Sequence, residues 1–227
     1  MTAPTLTIVM PALNEAAGID AALQTLAPLL ARGAQLLVAD GGSADDTVAR
    51  ALAGGAQVIS AARGRALQMN AGAQQASGAV LLFLHADSAL PGDADILIQH
   101  ALAAGPEVWG RFDVRIAGKP RLLRVIAAFM NVRSRWSGIA TGDQAMFMTH
   151  AAFDAVGGFP AQPLMEDIEL SARLLKLSRP ACLRACVVTS GRRWESRGVW
   201  STLVLMWRLR LAYWRGAAPE RLAELYR

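Results

Sequence analysis

Three short polar clusters directly follow apolar runs of the sequence, and their side chains are of types that bind phosphates and metals. The clusters are Asn14-Glu15, Asp40-Gly41-Gly42-Ser43 and His85-Ala86-Asp87. A carboxylate can hold a divalent cation that bridges two phosphates, and glycines let the backbone approach a ligand closely. The clusters therefore predict a site for a ligand that carries phosphates.

Each cluster also has an ordinary structural interpretation. Residues 40–43 could form a plain strand-to-helix turn in which Ser43 or Asp45 caps the helix. Asp87 could merely begin the turn after its strand. His85 could be a second metal ligand or a group that supports the ligands. The sequence leaves these alternatives open.

Further charged residues could take part in the same chemistry. Arg63 and Arg65 flank a glycine beyond a predicted strand, where two guanidinium groups suit a diphosphate. Glu166-Asp167 follows an apolar tripeptide, and a carboxylate in a partly apolar wall can act as a general base. The alternatives are a solvated arginine pair and acids that favour a helix N-terminus.

Residues 192–194, Arg-Arg-Trp, follow a predicted strand. The arginines could clamp phosphates while Trp194 stacks on a ring. They could equally form a basic surface turn beside a hydrophobic anchor.

The elements that must position these residues follow from the hydrophobic pattern. Apolar runs predict strands over residues 6–10, 35–39, 57–60 and 80–84. Helical spacing predicts helices over residues 15–30, 45–52, 66–76 and 91–103. This alternation indicates a parallel sheet, in which ligands bind at the carboxyl ends of the strands. The three polar clusters are expected to meet at that edge.

The pattern changes after residue 105. Residues 109–116 alternate like an exposed strand, and residues 120–136 form a basic amphipathic helix by their spacing. Further strands are predicted over 142–148 and 182–188, with a helix over 166–177 between them. Cys182 and Cys186 are four residues apart, about 13 Å along a strand, which is too far for a disulfide. They are expected to be reduced thiols in a cytosolic protein.

The tail from Val199 is predicted to be a long helix. One stripe carries its large apolar residues, which are Trp200, Leu203, Val204, Trp207, Leu211 and Trp214. A stripe of this kind predicts a helix packed on the core, and a helix lying in a membrane interface is the alternative. We see neither a secretory signal nor a run of about 20 apolar residues that could span a membrane.

The formal charge of +5 is uneven along the chain. Residues 184–227 hold nine arginines and three glutamates, so the remainder is close to neutral. A basic end suits nucleic acid, anionic lipid or an anionic substrate. Of these partners, an anionic substrate such as a nucleotide diphosphate also fits the motifs, so we expect no nucleic-acid partner. The sequence leaves the oligomeric state open.

The order of the motifs resembles the family 2 glycosyltransferases over roughly residues 5–195. The resemblance rests on Pro11-Ala12-Leu13-Asn14-Glu15, on the clusters at Asp40 and His85, and on Glu166-Asp167. It implies an α/β fold of the GT-A type, with a Rossmann-like, mostly parallel sheet flanked by helices and, here, a C-terminal amphipathic helix. We expect one domain over residues 1–227. Residues 5–105 would bind the nucleotide sugar, 106–195 would form the acceptor and catalytic half, and 196–227 would form a helical tail.

The resemblance also implies roles for individual residues. The expected donor-binding residues are Pro11, Asn14, Glu15, Asp40, Gly41, Gly42, Arg63, Arg65, Asp87, Arg193 and Trp194. Asp87, with His85, would hold Mg²⁺ or Mn²⁺, although His85 stands where many members have an aspartate. Asp167, beside Glu166, would deprotonate the acceptor hydroxyl, so that the sugar is transferred with inversion. We further predict acceptor contacts from Arg111, Asp113, Asp143 and Gln144.

A narrower likeness is carried by residues 109–113, 142–145, 163–167 and 206–211. These segments resemble a subgroup of arsenosugar biosynthesis glycosyltransferases, which implies a soluble bacterial enzyme that handles a modified sugar or nucleoside. A lipid-linked acceptor at the inner face of a membrane is an alternative, as is a non-catalytic nucleotide-binding module. A nucleotidyltransferase would require a glycine-rich loop with lysine or arginine directly after the first strand. Residues 11–15 are Pro-Ala-Leu-Asn-Glu, which argues against that class of enzyme.

Overall fold

The computed structural model describes residues 5–226, in which strands and helices alternate. The strands are β1 (Leu6–Ala12), β2 (Gln35–Asp40), β3 (Gln57–Ser60), β4 (Val80–Phe83), β5 (Ser88–Ala89), β6 (Trp109–Ala117), β7 (Phe147–Thr149) and β8 (Ala181–Ser190). The helices are α1 (Ile19–Ala31), α2 (Thr47–Ala53), α3 (Arg65–Gln74), α4 (Ala94–Ala103), α5 (Leu122–Ser137), α6 (His150–Ala155), α7 (Glu166–Leu174), α8 (Arg192–Arg197), α9 (Val199–Trp214) and α10 (Pro219–Tyr226).

Within this described part, the strands form one sheet in the order β3-β2-β1-β4-β7-β6-β8-β5. The first four strands of that order are parallel to one another. Strand β7 is antiparallel to both of its neighbours, β6 and β8 are parallel, and short β5 is antiparallel to β8. The mostly parallel α/β sheet flanked by helices is therefore confirmed.

The central strands are apolar at successive positions because helices cover both faces of the sheet. In β1, Ile8 and Met10 belong to the core beneath α1, where they share a cluster with Leu26. Val9 points to the other face and packs in the cluster that contains Met69 of α3. Successive strand side chains face opposite sides, so a strand buried on both sides shows a continuous apolar run. This arrangement leaves the carboxyl ends of β1, β2 and β4 at one edge.

Two strand predictions in the second half need correction. Residues 142–148 were expected to form one strand, but Gly142–Gln144 is a 3₁₀ turn, and β7 begins only at Phe147. The Gln144 side chain accepts a hydrogen bond from the Thr141 N–H, and Ala145 takes a left-handed conformation that ends the turn. The expected exposed strand at 109–116 is instead largely buried, because the core clusters on both faces of the sheet include its residues.

The helices of the second half also differ in detail from the prediction. Short helices α6 and α8 were not predicted, and α7 ends at Leu174 rather than at residue 177. The predicted tail helix is present as α9, and a second helix, α10, follows after Gly216. Gly216 has a φ of +87°, which a glycine adopts without steric cost and which turns the chain back.

The apolar stripe of α9 does not pack on the core, so that prediction was wrong. Trp200, Trp207 and Trp214 are exposed, and the buried residues of this helix are Thr202 and Leu209. Leu209 packs against Met165 and against Leu222 of α10. The helix is apolar on two sides, and the spacing alone could not tell which side would be covered.

Within residues 5–226, none of the helices combines the length and the apolar character that crossing a membrane requires. Cys182 and Cys186 carry free thiols, as their spacing predicted.

Candidate active site

The loops after β1 and β2 are joined by hydrogen bonds from Asn14. Its side-chain oxygen accepts a bond from the Ala44 N–H at 2.8 Å, and its own N–H donates to the Ser43 hydroxyl at 2.9 Å. Asn14 has a φ of +54°, a left-handed conformation that asparagine tolerates better than most residues. Two of the predicted clusters therefore form one unit at the edge of the sheet.

Asp40 shapes the second of these loops. Its buried carboxylate accepts hydrogen bonds from the N–H groups of Gly42 and Ser43, each at 3.0 Å. Gly42 has a φ of +89°, which explains the need for glycine at that position. A contact from Asp40 to the donor stays a prediction.

Gln68 of α3 is a buried residue that sequence reasoning did not identify. Its Nε2 donates to the carbonyl of Ala12 at 2.7 Å and to the carbonyl of Ala39 at 2.8 Å. One amide thus holds the carboxyl ends of β1 and β2 together beneath the loops. Gly41 is packed against the same amide, since an added Cβ would lie 3.1 Å from it. Nothing in the sequence around Gln68 distinguishes it from a surface glutamine.

Glu15 and Asp87, which follow β1 and β4, face a common cation. Nη2 of Arg192 lies 3.5 Å from Oε2 of Glu15 and 4.0 Å from Oδ2 of Asp87. The sequence predicted a donor contact from Arg193, the next residue, and named Arg192 only as one of two arginines that could clamp phosphates. The only signal for it was the pair of arginines after a strand.

Glu166 is a nearly buried carboxylate that faces Arg65. Its Oε1 lies 3.6 Å from Nη1 of Arg65. Burial raises the pKa of Glu166, the neighbouring Asp167 adds to that effect, and Arg65 opposes it. The predicted donor-binding Arg65 and the predicted catalytic segment are thus in contact.

His85 faces Asp143 rather than standing free beside Asp87. The distance from its Nδ1 to Oδ1 of Asp143 is 3.4 Å. Burial works against ionisation of Asp143, but the hydrogen bond and the charge of His85, together with Arg65 and Arg193, outweigh it and lower the pKa of Asp143. One predicted acceptor residue therefore lies at the predicted metal residue.

Asp167 is fixed by backbone hydrogen bonds. Its Oδ2 accepts from the Gly142 N–H and its Oδ1 from the Ile168 N–H, both at 2.7 Å. Met165, just before this segment, has a φ of +65°, a costly conformation for a non-glycine residue and one that is found often at functional sites. A small recess beside Asp167 and Glu166 is lined also by Arg65, His85 and Gly142.

Arg193 lies against the C-terminal helix α10. The carbon of its guanidinium group is 4.1 Å from the centre of the Tyr226 ring. Burial lowers the pKa of Arg193, the cations Arg197 and Arg65 add to that effect, and Asp143 and Asp87 oppose it. Three predicted site residues, Arg65, Asp143 and Asp87, are therefore among the charges that act on Arg193.

The other predicted donor residues are less closely involved. Trp194 is partly buried against the main core, as a hydrophobic anchor would be. Arg63 is exposed, and within residues 5–226 it makes no hydrogen bond or ion pair. Pro11 lies within β1 and pairs with Ala39, so its ring is half-buried at the edge.

Three of the four predicted acceptor residues are placed inside the protein. Arg111 is fully buried and forms an ion pair with Asp113, and its Nη2 donates to the carbonyl of Asn131 at 3.1 Å. Gln144 is also fully buried. Arg111 and Asp113 of β6 contact Asn131 and Arg135 of α5, which covers that strand, and Asp143 alone of the four reaches the edge.

The residues present can hold a divalent cation only with help from a ligand. Among residues 5–226, no three His, Cys, Asp or Glu side chains converge to make a metal site. Asp87 offers one partly exposed carboxylate, with His85 two residues before it. Mg²⁺ is commonly held by one or two carboxylates together with substrate phosphates and water. The donor set fits that mode of binding.

This sheet, with its site at the carboxyl ends of β1, β2 and β4, is that of the GT-A glycosyltransferases. The crystal structure of S. aureus TarS residues 1–349 with UDP-GlcNAc matches with a TM-score of 0.66 at 17% identity, over 82% of this chain and 58% of that one. Glucosyl-3-phosphoglycerate synthase from Mycobacterium tuberculosis, in complex with Mn²⁺, UDP and glucosyl-3-phosphoglycerate, matches with a TM-score of 0.61 at 21% identity, over 82% of this chain and 71% of that one. At these identities the likeness establishes the fold.

The family follows from the sequence model named Glycosyl transferase family 2, which matches residues 7–161. That range is more than half of the chain, and the chain belongs to this family. A curated relative, the glucosyl-3-phosphoglycerate synthase of Mycobacterium tuberculosis strain CDC 1551, is 46% identical over 57 residues. The aligned part covers 25% of this chain and 18% of that relative, so it is a short region of a longer protein.

Proposed function

We propose that this chain acts as one glycosyltransferase unit that moves a sugar from a nucleotide diphosphate sugar to a small hydroxylated acceptor, with inversion. The observation that carries the proposal is the contact of Arg192 with both Glu15 and Asp87. It joins a cation to the loops of two parallel strands, where this fold binds its ligands. The structures of TarS with UDP-GlcNAc and of glucosyl-3-phosphoglycerate synthase with UDP support the nucleotide sugar by likeness.

Donor binding is assigned to the residues at the edge of the sheet. Arg192 and Arg193 would approach the diphosphate, since guanidinium groups match phosphate geometry, and Asp87 with His85 would hold Mg²⁺ or Mn²⁺. When bound, the metal would neutralise charge that develops on the leaving diphosphate. The synthase structures that contain Mn²⁺ or Mg²⁺ together with UDP support this choice.

The base is assigned to Asp167. Its carboxylate stands at the start of α7 beside the recess, and its position is fixed by Gly142 and Ile168. It would accept the proton of the acceptor hydroxyl as that oxygen attacks the sugar. Glu166 is less suited to this role because its nearly buried carboxylate faces Arg65.

The proposals for the substrate and the cellular setting are supported by a sequence likeness and by the state of the cysteines. The likeness of residues 109–113 and 142–145 to the arsenosugar subgroup supports a modified sugar as one substrate. The two free thiols support a reducing, cytoplasmic setting.

Peripheral membrane contact through α9 is a second element of the proposal. The exposed stripe contains Trp200, Trp207 and Trp214. An open groove on this helix contains Arg208 and Arg215, whose charges suit anionic headgroups. A lipid-linked acceptor would follow from such contact.

The test is a thermal-shift comparison of nucleotide diphosphates and their sugars, with and without Mn²⁺. A ligand at 100 times its Kd stabilises the native state by about 2.7 kcal/mol, which raises the melting temperature. We expect a Mn²⁺-dependent shift with one nucleotide that is lost in Asp87→Ala and kept in Asp93→Ala, an exposed aspartate before α4. No shift with any nucleotide would overturn the donor site, and sugar transfer that persists without Asp87 and Asp167 would overturn the assigned roles.

A further inference from the structure

Tyr226 of α10 contacts two cations of the short helix α8. The carbon of the Arg193 guanidinium group lies 4.1 Å from the centre of the Tyr226 ring, and Nη1 of Arg197 donates to the Tyr226 carbonyl at 3.0 Å. Arg193 and Arg197 are four residues apart on one helix, where like charges repel each other. One residue of α10 thus holds both cations, the first through its ring and the second through its backbone.

The ring of Tyr226 has a fixed position because it packs on a buried cluster. That cluster consists of Met165, Leu209 of α9 and Leu222 of α10. Leu222 lies four residues before Tyr226, on the same face of the helix, so the residue that anchors α10 also supports the ring. The ring therefore offers the Arg193 guanidinium group a packed surface to lie against.

Helix α8 begins beside Asp87. Strands β5 and β8 pair so that Ser88 lies opposite Thr189, and the hydroxyl of Ser88 donates to that of Thr189 at 3.2 Å. Arg192 follows three residues later, and its Nη2 lies 4.0 Å from Oδ2 of Asp87. Arg193 is the next residue, so its side chain leaves the backbone beside the same edge of the sheet.

Other contacts hold the backbone of α8 without involving the side chain of Arg193. Trp194 packs on the main core, and the Glu195 carboxylate accepts the Lys119 N–H at 2.8 Å. Within residues 5–226, the guanidinium group of Arg193 forms neither a hydrogen bond nor an ion pair. A guanidinium group has five N–H donors in a planar fork, so one that lies against a ring still has donors that point away from it. Those donors are available for an anion.

We propose that Tyr226 is a positioning residue for the donor, whose ring holds the Arg193 guanidinium group where its N–H groups bind the diphosphate. The inference rests on the proposed function and extends it to a residue of α10. The attraction between the cation and the ring holds the guanidinium group before the donor arrives. An arginine that is already held loses less rotamer freedom when a phosphate binds, which raises the affinity. Removing the ring should therefore weaken donor binding.

Three variants separate the ring from the rest of α10. Tyr226→Phe keeps the ring, and Tyr226→Leu keeps an apolar side chain for the cluster but has no aromatic face. The backbone carbonyl that Arg197 binds is present in every variant. Leu225→Ala is the matched control, because Leu225 is an exposed residue of the same helix.

The measurement is calorimetry on the full chain with Mn²⁺. UDP, GDP and dTDP are titrated into the wild type, and the tightest binder is used for the variants. We expect Tyr226→Leu to weaken its binding about three- to thirtyfold, the range that a cation–π contact implies. Tyr226→Phe and Leu225→Ala should bind it as the wild type does. In a transfer assay the loss should appear in KM for the nucleotide sugar more than in kcat, since a smaller folded fraction would lower kcat instead.

A double-mutant cycle shows whether Tyr226 acts through Arg193. Arg193→Gln is made in the wild type and in Tyr226→Leu. If the ring serves to hold the guanidinium group, Tyr226→Leu has no further effect on nucleotide binding once Arg193 is replaced. A purely structural role of Tyr226 would cause the same loss in both backgrounds.

Three results would overturn the inference. They are wild-type affinity in Tyr226→Leu, an equal loss from Tyr226→Leu in both backgrounds of the cycle, and wild-type affinity in Arg193→Gln. Arg193 is exposed, so the last result tests the inference even where Tyr226→Leu does not fold. A wild type that binds none of the three nucleotides overturns the proposed donor site and the inference with it, and that result is visible before any variant is measured.

Discussion

The carboxylate of Asp167 accepts a hydrogen bond from the Gly142 N–H at 2.7 Å, which joins the start of α7 to the turn after α5. The same turn presents Asp143 to His85. Gly142 allows this close approach, because an added Cβ would lie 2.6 Å from Nε2 of His85. The proposed base and the proposed metal residue are therefore positioned by one short turn.

Replacing the proposed base should separate chemistry from donor binding. Asp167→Asn keeps a side-chain oxygen for the Gly142 N–H but cannot accept the acceptor proton. We expect transfer to fall by about 10²- to 10⁴-fold, the usual contribution of a general base, with UDP affinity unchanged. Radiolabelled sugar transfer and UDP calorimetry measure the two effects. Asp154→Asn, at an exposed position of α6, is the control, and equal transfer in the two variants would remove Asp167 from the mechanism.

Glu166 should make stability depend on pH in a direction opposite to that of most acids. Its pKa is raised above the ordinary value of 4.5, chiefly by burial, so the native state favours the protonated form. Its stabilising contribution is complete below the ordinary pKa and is lost as the pH rises through the folded-state pKa. We expect Glu166→Gln to gain stability relative to wild type across that interval. Denaturant unfolding at a series of pH values measures the difference, and a difference that does not change with pH would contradict the assignment.

The ion pair of Arg32 with Asp95 should contribute to the stability of the first half of the chain. Arg32 donates to both carboxylate oxygens, at 2.7 and 2.6 Å, and Asp95 is almost buried. We expect Asp95→Asn to lower the free energy of unfolding by about 1–3 kcal/mol, the range for hydrogen bonds to charged groups.

A surface pair provides the control for Asp95. Asp20 and Arg50 form an exposed ion pair, and Asp20→Asn should cost less than about 1 kcal/mol. The hydrogen bond from Arg32 lowers the pKa of Asp95 below its ordinary 3.8, so its contribution is present above that pH and is lost as the pH falls through the folded-state pKa. Urea unfolding at neutral and acidic pH measures both differences, and equal costs for the two variants would contradict this ranking.

Membrane contact through α9 can be tested with two tryptophans of equal exposure. Trp214 of α9 and Trp136 of α5 are each 85% exposed. We expect the wild-type protein to float with anionic vesicles at low salt and to dissociate at high salt. Trp214→Ser should weaken flotation, and Trp136→Ser should not. Equal loss in the two variants would indicate nonspecific adhesion, and no flotation of wild type would exclude the proposed contact.

The edge of the sheet to which we assign donor binding could be predicted, because its residues are close to their strands in sequence. Parallel strands end at the same edge, so Asn14, Asp40 and Asp87 had to come together once the strands were identified. Arg192 reaches the same edge only because β8 pairs with β5 and β6, and that pairing joins distant parts of the chain. The local periodicity of the sequence contains no information about such a pairing between distant strands.

Two predictions about which residues are buried were wrong for a related physical reason. Alternation in residues 109–116 suggested an exposed strand, but α5 covers it and its charged Arg111 and Asp113 neutralise each other inside. Helix α9 has two apolar sides, and the side that contains Leu209 packs against Met165 and α10. Spacing identifies an apolar face, but the rest of the fold decides which face is covered.

The contact of Arg192 with Glu15 has a consequence for protein synthesis. A chain emerges from the ribosome with its N-terminal part first, and Glu15 and Asp87 are made long before Arg192. Until β8 has paired and α8 has formed, the two carboxylates face solvent without their cation. If Arg192 binds the donor as proposed, a nascent chain acquires full affinity for the donor only late in translation. An interrupted translation product would then not compete with the finished chain for nucleotide sugar.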